Sequence, residues 1–130
     1  MKPPAAIIAC AALALGIASA PDAGDFERFC AEWMRKLERR EAHNLRQMKM
    51  KSSAGWTVGE YTGYGRAPLS CKTRERVQPG KRTVGMLVYR EFRYRKQGID
   101  PIRARISEPW VIETVEVMEI FPFDGSRWSY

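Results

Sequence analysis

Over residues 83–95 the chain alternates without a break. The even positions read Val84, Met86, Val88, Arg90, Phe92 and Tyr94, and the odd ones read Thr83, Gly85, Leu87, Tyr89, Glu91, Arg93 and Arg95. A period of two belongs to a half-buried β-strand, and the even set predicts the inward face. A strand of this kind needs a layer to cover it. Arg90 is then the one inward charge, and it must be paired or solvated because an isolated buried charge is too costly. Two roles follow. Arg90 either forms an ion pair with Glu41, Glu113 or Glu116, or it holds an anionic ligand in the sheet's concavity, with Phe92 and Tyr94 as walls.

The covering layer is predicted to be one long helix over residues 25–50, with Asp22 and Asp25 as N-cap candidates. Phe26, Phe29, Cys30, Trp33, Met34, Leu37, Leu45 and Met48 recur on one face at helical spacing. Arg28, Arg35, Arg39, His43 and Arg46 fall on the other. Glu41 and Asn44 interrupt the apolar face, either where the helix passes the sheet edge or where it lines a pocket. Gly55 supplies a stop after Ser52 and Ser53.

Beyond Gly55 the pattern turns to strand. Residues 56–66 are rich in Thr, Val and Tyr, and Gly59, Gly63 and Gly65 predict a bent or bulged strand. Residues 70–77 resume it, and Gln78, Pro79, Gly80 and Lys81 make a turn. If Val77 faces Arg82 across that turn, Cys71 faces Val88 on the inward side. Cys30 lies on the inward face of the helix, so the two phases together predict a Cys30–Cys71 disulfide. Asp100 and Pro101 suit the cap and first turn of a short helix to Ile106. Residues 110–123 read as the last long strand. Glu113, Glu116 and Glu119 recur every third position, which one face of a regular strand cannot hold, so one or two β-bulges are expected. Asp124 and Gly125 then predict a closing hairpin.

These elements make an α+β fold: one long N-terminal helix packed on a curved antiparallel sheet of 4–5 strands. The 130 residues suit one such domain, predicted over 21–130. Residues 1–20 read as an export signal, with Lys2, then an uncharged run, then Ala18, Ser19 and Ala20 as a cleavage pattern. Cleavage after Ala20 would leave Pro21 at the new terminus, which makes Ala18 the alternative. The uncharged run over 5–20 would span about 24 Å as a helix, short for a bilayer, so no transmembrane segment is expected in the mature chain. Too little apolar sequence precedes Cys10 for a lipid anchor. The expected location is periplasmic or secreted, where Cys30 and Cys71 most simply form one structural disulfide.

The ending Glu119, Ile120, Phe121, Pro122, Phe123, Asp124, Gly125 and Trp128 resembles the closing hairpin of nuclear-transport-factor-like and polyketide-cyclase-like domains. The single long helix ahead of the sheet looks more like the cystatin-like version of this α+β roll. The resemblance implies a helix wrapped by a curved sheet. The chain departs from both groups, lacking the extra helices of the first and the Gln-x-Val-x-Gly loop of the second, so no functional residue is carried over.

For catalysis the sequence names no residue. His43 stands alone on the polar helix face, with no convergent partner for a dyad or metal cluster. There is no phosphate loop, no cysteine-pair metal spacing and no serine-nucleophile motif, and neither metal nor cofactor is expected. The net charge of +7 favours anionic partners. The basic, aromatic run over 89–96 has the composition of a single-strand nucleic-acid platform. The export signal argues against that reading, as do the glutamates of the last strand, which can neutralise the run across the sheet. Three functions are left: a non-enzymatic exported module that binds a partner or small ligand on the concave sheet face; a basic envelope protein that docks on an anionic surface polymer; and a small polyketide-cyclase-like enzyme working with carboxylate and tyrosine groups. The ligand-binding candidates are Arg90, Phe92, Tyr94, Glu41 and Asn44.

Overall fold

The computed structural model describes residues 23–75 and 83–129, with side chains from Asp25 onward. The predicted export signal and the turn at 78–81 lie outside the described residues. The fold is α+β. In chain order the elements are α1 (Ala23–Arg46), β1 (Met50–Ser53), β2 (Trp56–Tyr64), β3 (Ser70–Arg74), β4 (Val84–Gly98), α2 (Pro101–Ile106) and β5 (Trp110–Pro122).

β4 is the spine of a five-stranded antiparallel sheet. β5 runs along one edge of it, from Val84↔Pro122 to Arg95↔Trp110. The other edge is shared: β3 takes the first half, up to Ser70↔Val88, and β2 takes the second, from Tyr64↔Glu91 to Thr57↔Gly98. β1 extends the sheet beyond the start of β2 through a tight turn in which Ala54 and Gly55 both have positive φ. β1 was not expected from the sequence; the helix ends at Arg46, four residues short of the predicted end.

α1 lies on the sheet with Phe26, Cys30, Met34 and Leu37 buried, while Leu45, expected on this face, is exposed. Phe121 of β5 closes the core against three rings of the helix, Trp33 at 4.9 Å, Phe29 at 4.7 Å and Phe26 at 6.4 Å between centroids. Trp128 returns from the closing hairpin, paired through Phe123↔Trp128, to meet Phe26 at 4.6 Å.

The expected inward face of β4 is overturned in its first half. Gly85, Leu87 and Tyr89 are the buried residues there, not Val84, Met86 and Val88. The inward set was disguised. Gly85 is bare because Phe26 sits on it, with a Cβ there only 2.1 Å from the ring, and Tyr89 is polar at its tip. The apolar even residues lie on the sheet's other face beside Met118 and Ile120 of β5. In its second half the expected even positions do turn to the helix layer: Tyr94 lies beside Glu41 over Gly63, and Lys96 and Gly98 are buried. The register with β3 also differs by one from the expected one: Cys71 pairs with Leu87, not Val88. Cys71 therefore still faces α1, and the Cys30–Cys71 disulfide ties α1 to β3 with Cα atoms 6.5 Å apart.

β5 carries one register shift, opposite Arg93 and Tyr94, where Ile112 is the extra residue. The three glutamates follow it and divide between the faces. Glu113 meets Arg93 at 3.5 Å, Glu119 accepts from Tyr89 Oη at 3.1 Å, and Glu116 stands opposite Arg90.

Candidate functional site

β2 pairs with β1 only over Trp56–Gly59, so from Glu60 onward its outer edge has no strand beside it among the described residues. A backbone edge left bare in a half-buried place must find other partners. Glu41 and Asn44 of α1 supply them. Glu41 Oε1 accepts from Tyr64 N at 2.7 Å, and Asn44 Nδ2 donates to the Thr62 carbonyl at 3.0 Å. Thr62 and Tyr64 are two apart, so these groups point to the same side of the strand. Two helix side chains thus stand in for one residue of a missing strand. The second carboxylate oxygen of Glu41 takes the Arg66 guanidinium at 2.5 Å. That bond holds Arg66 more firmly protonated than usual.

Tyr94 lies behind this pair, stacked on Tyr61 at 5.1 Å, and Phe92 leans on Tyr94 at 5.8 Å. Burial first, and the Glu41 charge second, push both the Tyr61 and Tyr94 phenols upward. Tyr89 is pushed up further, by burial and then by the Glu119 charge. Phenols held protonated act as donors at neutral pH, not as bases. With both oxygens of Glu41 already accepting, this carboxylate–tyrosine group serves better as a brace than as an acid–base pair.

Four of the five candidates thus gather at one place, where α1 crosses β2 and β4. Arg90 does not join them. It is exposed, it forms no ion pair among the described residues, and its position was misjudged with the phase of β4. An exposed, unpaired arginine carries little stability. Arg90→Met is therefore expected to change unfolding free energy by less than about 0.5 kcal/mol in a urea melt. A clear loss would show that the side chain is bonded in solution.

Next to Asn44 a groove of about 530 Å³ opens between the end of α1, β1 and β2. His43, Gln47, Lys49, Lys51 and Tyr61 are among its walls. Its only carboxylate, Glu60, is engaged by Arg95 at 2.6 Å, which holds Glu60 below the usual carboxylate range. The groove went unseen in the sequence because β1 did. The available signal was the basic alternation of Lys49 and Lys51 around Met50, a strand pattern read as the tail of a helix.

The basic face of α1 is the other notable feature. Arg35, Arg39, Arg40 and Arg46 are exposed and form no ion pair among the described residues, while Arg28 meets Asp25 at 3.8 Å. At 100° per residue Arg28, Arg35, Arg39 and Arg46 fall within about 40° of arc, and they extend along about 27 Å of helix. In the sheet, by contrast, Arg93 and Arg95 are paired with Glu113 and Glu60. The expected self-neutralisation holds at those two positions and does not reach the helix. No group of three or more His, Cys, Asp or Glu among the described residues is placed to hold a metal. No described helix is long and apolar enough to cross a membrane.

No family model, no curated protein and no solved structure matches the chain.

Proposed function

We propose that the protein is an exported, non-enzymatic domain that docks on an anionic surface polymer through the solvent face of α1. The observation that carries this reading is the line of unpaired arginines at 35, 39 and 46. A line of charge suits an elongated polyanion, because each arginine can release a counterion along the polymer, whereas a compact anion would meet one or two. The continuation of the line into Lys49 and Lys51, at the end of α1, lengthens the track. Export is supported by the pattern of residues 1–20 and by the Cys30–Cys71 disulfide, which fits an oxidising compartment.

The groove beside Asn44 favours a second reading, a small anionic ligand held by His43, Lys49 and Lys51. Polymer length separates the two. On a heparin column the protein should be retained at low salt, and Arg35→Gln/Arg39→Gln/Arg46→Gln should lower the slope of log K against log salt by about two to three. The melting temperature should stay nearly unchanged, since these side chains are exposed. Unchanged retention in the triple variant would remove the polymer reading. Short fragments binding as tightly as the polymer would transfer the function to the groove.

A further inference from the structure

The sheet end where β4 stops collects apolar side chains that nothing among the described residues covers. Gly98, the last residue of β4, pairs with Thr57, which puts Trp56 and Ile99 side by side at that end. Trp110 opens β5 there, opposite Arg95. α2 lies across the same end with Ala104 fully buried, so Ile102 and Ile106, one turn apart, face away from the sheet. Their exposures are 75% and 77%, with Ile99 at 59%, Trp56 at 46% and Trp110 at 43%. Ile102 and Ile106 lie on the α2 side of this end, and Trp56 and Trp110 on the other side with Arg95 and Glu60, so the apolar residues surround the tip of the sheet rather than scatter singly.

The charges around this end decide what meets it. Residues 46–60 and 95–110 contain seven cations, Arg46, Lys49, Lys51, Arg95, Lys96, Arg103 and Arg105, against three carboxylates. Two of those carboxylates are already engaged, Glu60 by Arg95 and Asp100 by Arg103; the third, Glu108, is exposed. Arg105 reaches the Met48 carbonyl at 3.4 Å, which holds the isoleucines beside Lys49 and Lys51. We propose that this end is a docking surface for an anionic lipid bilayer. Ile99, Ile102 and Ile106 enter the headgroup boundary, Trp56 and Trp110 sit at its level, and the exposed Arg46, Lys49 and Lys51 bind the anionic headgroups. A second copy of the chain fits less well, because a two-fold contact here would bring the same cations together. The groove of about 310 Å³ at this end, walled by Trp56, Lys51 and Arg95 among others, has none of the three isoleucines in its walls, so a small ligand there would leave them uncovered. The inference shares Arg46, Lys49 and Lys51 with the proposed polymer track but rests on the exposed apolar residues, which that track does not use.

The test is sedimentation of the purified protein with vesicles of phosphatidylglycerol and phosphatidylcholine in equal parts, and with phosphatidylcholine alone. The protein should partition to the mixed vesicles and only weakly to the neutral ones, with a blue shift of tryptophan emission. Ile102→Ser/Ile106→Ser, at two exposed positions, should keep the melting temperature and the heparin retention but weaken partitioning about tenfold or more. Equal partitioning of this variant would overturn the proposal, including the case in which the apolar segment at 5–20 does the binding. So would equal affinity for neutral vesicles. A dimer that forms with rising concentration and dissolves in the serine variant would assign the surface to a second copy instead.

Discussion

Replacing Cys30 by alanine together with Cys71 by serine is expected to lower the unfolding free energy by about 4 kcal/mol on the chain-entropy estimate for a closure of this length. The bridge spans a sequence separation of 41 and joins the first layer of the fold to the second. On this account most of the effect lies in the unfolded chain, which gains freedom when the loop opens. The denaturant slope should therefore rise as the midpoint falls, because an unbridged chain exposes more surface on unfolding. Alanine is the choice at position 30 because Cys30 is buried against the core and a hydroxyl there would lack a partner; Cys71 is only half-buried and accepts serine. The intact mass of the native protein should be two hydrogens below that of the reduced chain. Two free thiols in native protein, or a double variant within about 1 kcal/mol of the parent, would contradict this account of the bridge.

The disulfide also shows how a sequence reading can reach a correct pairing by an incorrect route. Two assignments of phase were each off by one: the inward face of β4, and the register of β3 on β4. In a strand a one-residue slip exchanges the faces, so two slips restore them, and Cys71 faces α1 in either account. The face was misread because the inward residues of β4 include a glycine and a tyrosine, while Met86 and Val88 look like core and lie on the other face of the sheet. What was legible was local. Asp100 caps α2 as its position before Pro101 implied, accepting from Arg103 N at 2.8 Å. Asp124 closes the final turn by accepting from Ser126 N and Arg127 N, and these backbone donors hold its carboxyl down at about 2. β1 was illegible for a physical reason. Its turn needs positive φ at Ala54, a conformation alanine seldom adopts, so the signal rested on Gly55 alone, which serves equally as a helix stop. The roles of Glu41 and Asn44 were equally hidden. Their partners at Thr62 and Tyr64 are 18 and 23 residues away, and need arises only because β1 stops short of them.

Gly98→Ala is expected to cost about 3 kcal/mol and to release α2 from the sheet, whereas Gly65→Ala should be neutral or slightly stabilising. At Gly98 an added Cβ would lie 2.3 Å from Ala104 N and 2.6 Å from the Arg103 carbonyl carbon. These are backbone atoms of a helix, with no flexible side chain to swing aside, so α2 must lift or the end of β4 must bend. Lifting α2 exposes Ala104 and breaks the contacts that fix it. Lys96 Nζ donates to the Arg105 carbonyl, Gln97 N donates to Ser107 Oγ at 3.2 Å, and Arg105 reaches Met48. Lys96 is the costliest of these to disturb, since its side chain is buried and an ammonium left without an acceptor pays for its lost hydration. At Gly65 the nearest atoms to an added Cβ are 3.7 to 3.8 Å away, an ordinary contact. Its N–H bond to the Arg90 carbonyl at 2.9 Å survives the change, and the unfolded chain loses freedom. Hydrogen exchange at Ala104 and Ser107 should quicken in Gly98→Ala well beyond what the global loss explains, and stay slow in Gly65→Ala. If α2 exchanges no faster than β4 in Gly98→Ala, the close approach of α2 to the sheet is not what makes glycine necessary at that position.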